Sequence, residues 1–148
     1  MNILELEEKL QNLTQNTNKD DFIFDFLQSY DMPKANIAKL RKNSDVNTLE
    51  LNGELIVKNK KLFFKIVDNI KTINFENILK EQKSMRFVFL TDFKIIKAYD
   101  LKLLTSLDIE FEELSKNSDF FWPIAGVEKA TIYEEKEADV KASVKMAK

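Results

Sequence analysis

An aspartate at 68, a glutamate at 81 and a lysine at 83 form the one constellation in this chain with the residue types for hydrolytic chemistry. Two carboxylates converging on a hard cation can hold Mg²⁺, and an amine beside them can steer the attacking water. Asp68 followed by Glu81-Gln82-Lys83 is an arrangement that metal-dependent nucleases use. Those enzymes carry the glutamate and lysine on one extended strand, where residues two apart face the same side. Here both lie in TINFENILKEQKS, residues 72–84, where Phe75, Ile78 and Leu79 recur at helical spacing. Residues two apart on a helix point away from each other. Only Ser84-Met85 separates Lys83 from the apolar run that starts at Arg86-Phe87, so no crossover helix fits after it. The reading drawn from this is that Asp68, Glu81 and Lys83 are not a catalytic set and that no metal is bound. An active Mg²⁺ site on these three residues is the alternative.

Other chemistry is excluded by composition. The 148 residues contain no His and no Cys, which removes the usual general base, the usual zinc ligands, thiolate sites and disulfides. Only Gly53 and Gly126 are present, so no glycine-rich phosphate cradle can be built. Net charge is −2, so any nucleic-acid surface must be local. Lys34, Lys39, Arg41 and Lys42 are the first such candidate, with a helix N-terminus at Pro33-Lys34 able to add backbone donors. Lys58, Lys60, Lys61 and Lys65 form a second basic group. Both groups can equally be solvated faces. Asp92 follows an apolar run and reads as an Asx turn rather than a catalytic acid. Phe120-Phe121-Trp122 reads as core; a ring left exposed, with Trp122 the first choice, would be a docking contact.

The elements that position these residues follow from periodicity. Ile3, Leu6, Leu10 and Leu13 mark an amphipathic helix, and QNTNKDD breaks it. Asp20 or Asp21 can cap a second helix, FIFDFLQSY, with Phe22, Phe26 and Tyr30 inward. Pro33 opens a third, KANIAKLRK. GELIVKNKKLFFKIV reads as two strands about a turn at Lys58-Asn59-Lys60, with Asn59 supplying the positive φ. Thr72 can cap the helix over 72–84. Residues 85–90, KIIKAYD and LDIEFEEL then read as strands. Glu134, Glu135 and Glu137 suggest a solvated linker before a final helix, ADVKASVKMAK, which reaches Lys148 with no stop signal, so the chain is expected to continue. The expected fold is α/β (α+β): N-terminal helices, a small, mostly antiparallel sheet with a crossing helix, and a C-terminal helix. Its divisions are 1–19 (helix and polar linker), 20–133 (the α/β domain) and 134–148 (linker and helix start). No run is long enough for a membrane span and the N-terminus is not a signal sequence, so a cytoplasmic location is expected.

Four segments resemble the N-terminal region of type IIG, or MmeI-like, restriction–modification enzymes, in which a nuclease-like domain precedes an adenine-specific DNA methyltransferase. They are FIFDFLQSYDMPKANIAKL, GELIVKNKKLFFK, RFVFLTDFKIIKAYD and DFFWPIAGVEKA with the later ADVKASVKMAK. Pro33, Lys34, Ala35, Ile37 and Leu40 fall on the pattern, with Asn36 in place of its threonine. So do Arg86, Phe87, Thr91 and Asp92, then Phe120, Phe121, Pro123, Ala125, Gly126, Glu128 and Lys129, and finally Ala138, Asp139, Val140, Lys141, Lys145, Met146 and Ala147. The resemblance implies a restriction-endonuclease-like fold that has lost its site, DNA as a partner, and a downstream methyltransferase domain; Lys34, Lys39, Arg41 and Lys42 are the candidate DNA contacts, and the net charge of −2 makes the expected binding weak. It implies S-adenosylmethionine and Mg²⁺ for the parent protein but no cofactor here, because the glycine-rich loop and Asn-Pro-Pro-Tyr motif of the methyltransferase are absent. The expected function is therefore that of a non-catalytic domain assisting DNA binding or domain packing. The alternatives are an active Mg²⁺-dependent endonuclease domain, and a protein-interaction domain unrelated to DNA.

Overall fold

The computed structural model describes residues 2–16 and 18–128. The expected linker and helix over 134–148 lie outside these residues, as does Lys129. Three helices come first: α1 (Ile3–Asn16), α2 (Phe22–Ser29) and α3 (Lys34–Lys42). A short strand β1 (Asn47–Thr48) and a single turn α4 (Leu49–Asn52) lead into the hairpin β2 (Glu54–Val57) and β3 (Leu62–Ile66). Helix α5 (Phe75–Glu81) crosses to β4 (Phe87–Thr91), and β5 (Ile95–Asp100) and β6 (Thr105–Glu110) complete the sheet. The strands lie in sequence order, with β3 and β4 parallel and every other neighbouring pair antiparallel. This is the expected mixed α/β architecture.

The crossover explains the parallel pair. A parallel connection needs a dozen or more residues, which 67–86 provide, and α5 covers the sheet face it crosses. Strand β4 is buried at every position, as a central strand covered on both sides must be. On one face Phe63, Val67, Ile70, Val88 and Leu90 pack with Phe75, Ile78 and Leu79. On the other lies the larger core, to which α1 gives Leu6, Leu10 and Leu13, and α2 gives Phe22, Phe26 and Leu27. Phe22 sits at the middle of an aromatic group, with ring centroids 5.2 Å from Phe111 and 5.7 Å from Phe93. Phe89 packs on Phe26 and on Phe121 at 5.2 Å each. Offset and edge-on ring pairs of this kind add about 0.5–1.5 kcal/mol each beyond the area they bury. Residues Phe111–Ala125 close this core with 3₁₀-type turns, interrupted at Asn117, where φ −119° and ψ 27° leave the helical range.

Several local expectations are corrected. Asp21 does not cap α2 with its side chain; its own N–H donates to Asn18 Oδ1 at 2.9 Å, and its carboxylate goes to Arg41. Asn74, not Thr72, caps α5, accepting from Asn77 N–H at 3.1 Å, and the helix starts three residues later than 72. In the hairpin, Lys58–Lys60 form a 3₁₀ turn and Lys61, not Asn59, takes the positive φ of 51°. A three-residue turn of this hand leaves the reversal to the residue after it, which enters β3 from the left-handed region. Phe120, Phe121 and Trp122 are all buried, so Trp122 presents no docking surface.

Candidate functional site

The three residues of the nuclease expectation occupy unlike places. Asp68 is exposed in the bend after β3. Glu81 is the last residue of α5 and accepts from Asn77 Nδ2 at 3.4 Å. Lys83 lies in the turn beyond the helix. Glu81 and Lys83 therefore share no strand that could aim both at one ion. Among the described residues no group of three or more acidic side chains is placed to hold a metal.

The strand that does precede the crossover helix is β3, and it carries a lysine with a carboxylate beside it. Glu54 on β2 stands directly opposite Lys65 in the antiparallel register, and Lys65 Nζ lies 3.0 Å from Glu54 Oε2. This pair faces the α5 side of the sheet, in a row that continues through Leu90 and Lys97 to Asp108. Lys97 Nζ lies 5.2 Å over the ring of Phe75. Two residues before Lys65, on the same face, stands Phe63, packed in the core beneath α5. An apolar ring thus fills the position from which a second carboxylate would reach the cation. Mg²⁺ does not fit here: Glu54 is engaged by Lys65, and a buried benzyl group offers no oxygen. S-adenosylmethionine has no glycine-rich seat in this chain. Sequence reasoning passed over this pair because of the turn: a three-residue turn at Lys58–Lys60 would set Glu54 opposite Phe64, whereas the observed connection includes Lys61 and shifts the register so that Glu54 meets Lys65.

The basic residues of α3 divide. Arg41 Nη2 lies 3.0 Å from Asp21 Oδ1, and its guanidinium stacks 4.1 Å over the ring of Phe24. The Arg41 hydrogen bond holds the Asp21 carboxyl below the ordinary carboxylate range. Arg41 thus ties α3 to the start of α2, while Lys34, Lys39 and Lys42 are exposed. Of the hairpin group, Lys65 is paired, and Lys58, Lys60 and Lys61 ride the turn.

Asp92 works as a turn residue. Its Oδ1 accepts from Lys94 N–H at 2.9 Å and Ile95 N–H at 2.8 Å, and its Oδ2 from Ile70 N–H at 3.1 Å. Partial burial works to raise its pKa, but these backbone donors outweigh it and hold the carboxyl below its usual value. Asp92 therefore joins the β4–β5 turn to the crossover.

A second ionic group unites three residues from separate segments. Arg86 grips the fully buried Asp100 from one edge, with Nε 3.4 Å from Oδ1 and Nη2 3.3 Å from Oδ2. Its Nη1 reaches Glu128 at 2.9 and 3.1 Å. Asp100 Oδ1 also accepts from Lys102 N–H at 2.9 Å and Leu103 N–H at 3.1 Å, which fixes the turn between β5 and β6. The hydrogen bond from Arg86 holds the Glu128 carboxyl below its ordinary range. Arg86 and Glu128 both lay on the sequence pattern, but nothing in their spacing told that they would meet.

A family model described as "MmeI, N-terminal domain" matches residues 1–148. DNA methyltransferase A of Bacillus subtilis (strain 168) is 31% identical over 157 residues, a match that covers 100% of this chain and 17% of that protein. The chain thus spans about a sixth of the length of this curated relative. No solved structure matches. Among the described residues, no helix is long and apolar enough to cross a membrane.

Proposed function

Because the chain belongs to the family of MmeI N-terminal domains, we propose that it is the non-catalytic N-terminal domain of a DNA restriction–modification methyltransferase, packing on that enzyme and helping it hold DNA. The observation that carries this reading is Phe63. The strand that precedes the crossover helix, where Lys65 faces Glu54, has a buried ring where metal-assisted hydrolysis needs an oxygen ligand. What remains is an ion pair that locks the hairpin. Methyl transfer from S-adenosylmethionine belongs to the following domain of the parent protein, and the parent works in the cytoplasm, where its DNA is. The exposed Lys34, Lys39 and Lys42 supply point charges for the DNA backbone, and Arg41 holds the helix that carries them.

The test is a nicking assay of the chain on supercoiled DNA with Mg²⁺ or Mn²⁺. No nicking is expected. Nicking that disappears in Glu54→Gln or in Glu81→Gln would overturn the non-catalytic reading. Duplex binding is tested separately by its salt dependence. Affinity that falls steeply with salt, and falls further in Lys39→Ala with Lys42→Ala, is the expected result; affinity indifferent to salt would remove the DNA contact.

A further inference from the structure

Beside the basic groups of α3 and the hairpin, the structure gathers cations at a third place, which shares Lys61 with the hairpin. The turn after α5, the residue before β3 and the β5–β6 turn surround a hollow of about 390 Å³, lined by Lys61, Lys83, Ser84, Arg86 and Lys102 together with two apolar residues. No carboxylate lines it among the described residues. Two of the four cations are Arg86, offset by the buried Asp100, and Lys102, whose Nζ is 3.9 Å from Glu128 Oε2. Lys61 and Lys83 form no ion pair among the described residues, so positive charge is in excess.

Arg86 is prepared for an anion. Asp100 holds one edge of its guanidinium, and the backbone beneath is fixed, because Arg86 N–H donates to Lys61 O at 2.7 Å and Leu101 N–H donates to Arg86 O at 2.7 Å. The remaining nitrogen, Nη1, is turned outward and carries N–H donors that suit an oxyanion. An oxyanion already sits there: the Glu128 carboxylate takes both its oxygens to Nη1 at 2.9 and 3.1 Å while remaining half exposed.

We propose that the hollow lined by Lys61, Lys83, Arg86 and Lys102 is a phosphate-oxyanion site in which Glu128 is the intramolecular competitor. A phosphate at Nη1 displaces the weaker, singly charged carboxylate and draws on the two unpaired lysines. Duplex DNA as the source of that phosphate rests on the reading above; inorganic phosphate does not.

The experiment is amide chemical-shift titration of the isotopically labelled chain, first with inorganic phosphate at constant ionic strength, then with a short duplex. Phosphate should move the amides of 83–87 and 101–103. Glu128→Gln should raise phosphate affinity about two- to fivefold, the worth of an exposed ion pair it no longer has to break. Lys83→Ala and Lys102→Ala should each weaken it, and for the duplex each should lower the salt slope by about one. Phosphate shifts confined to other residues, or an affinity unmoved by Glu128→Gln, overturn the site. Duplex binding that moves α3 while the hollow stays silent also overturns it and leaves the proposed function standing. Phosphate binding in the hollow with no duplex binding supports the site and removes the DNA contact from the proposed function.

Discussion

Replacing Asp100 with alanine should cost about 3 kcal/mol, and the structure sets that figure. Removing one partner of a buried ion pair costs about 3–5 kcal/mol, because the other charge is left uncompensated. Asp100 is fully buried, and Arg86 is 13% exposed, so little water reaches the inner edge of the guanidinium. Two features pull the cost to the lower end. Arg86 keeps Glu128, and the Lys102 and Leu103 amides lie in an exposed turn where water can replace the lost acceptor. Asp100→Asn should cost less, about 1–2 kcal/mol, since its carbonyl oxygen can still accept from the turn. Urea unfolding followed by Trp122 fluorescence and far-ultraviolet circular dichroism measures both. The midpoints should fall with the slope unchanged. Thermal midpoints should drop by about 6–12 °C for the alanine variant. An Arg86→Met and Asp100→Ala double-mutant cycle should return a coupling of about 1–3 kcal/mol. An alanine variant that loses less than about 1 kcal/mol would refute the claim that this pair is sealed from solvent. Equal losses for alanine and asparagine would refute the role given to the turn amides.

Gly53→Ala should destabilise by about 2 kcal/mol or more in the same urea assay, because Gly53 has φ +69° and an added Cβ would meet Ile66 O at 2.7 Å; a neutral result would mean that the hairpin can shift away. Tyr30→Phe should cost about 1 kcal/mol, since the buried hydroxyl donates to Ser118 O at 2.6 Å and the carbonyl would be left without it; a gain in stability would contradict this. Asp92 has its carboxyl held below the usual range, so its contribution is complete above the unfolded-state value of about 4 and is lost as pH falls through the folded-state value. The gap in urea midpoint between the natural chain and Asp92→Asn should therefore narrow between about pH 5 and pH 2, and a constant gap would show that the charge does not matter.

Most of the elements were legible because each writes its own period into the chain. Leu6, Leu10 and Leu13 announced one buried helix face, and Phe22, Phe26 and Tyr30 another. Leu107 and Ile109 turn inward along β6 as their alternation required, and Phe111 follows them into the core at the start of the closing 3₁₀ turns. Caps and turns were less legible, because several polar residues compete for each role. Asp20 and Asp21 could both serve the start of α2, and only the Arg41 position decides that Asp21 is spent on an ion pair. Helical spacing sets Glu81 and Lys83 apart from an extended strand, and the structure has Glu81 at the end of α5 and Lys83 in the turn after it. The strand that met the geometric requirement was β3. Phe63 concealed it, since a pattern that looks for carboxylates passes over a phenylalanine.

By itself the sequence determined which residues are apolar at which period, and hence the helices, the strands and the face each buries. It also determined which chemistry is impossible without His, Cys or a glycine-rich loop. Only the tertiary structure decided which charges meet. Arg86 finds Asp100 fourteen residues away and Glu128 forty-two away. Period tells a side chain its face, but the partner on that face is chosen by strand register, by the crossover that lays β4 beside β3, and by the closing turns that bring Glu128 back to the sheet.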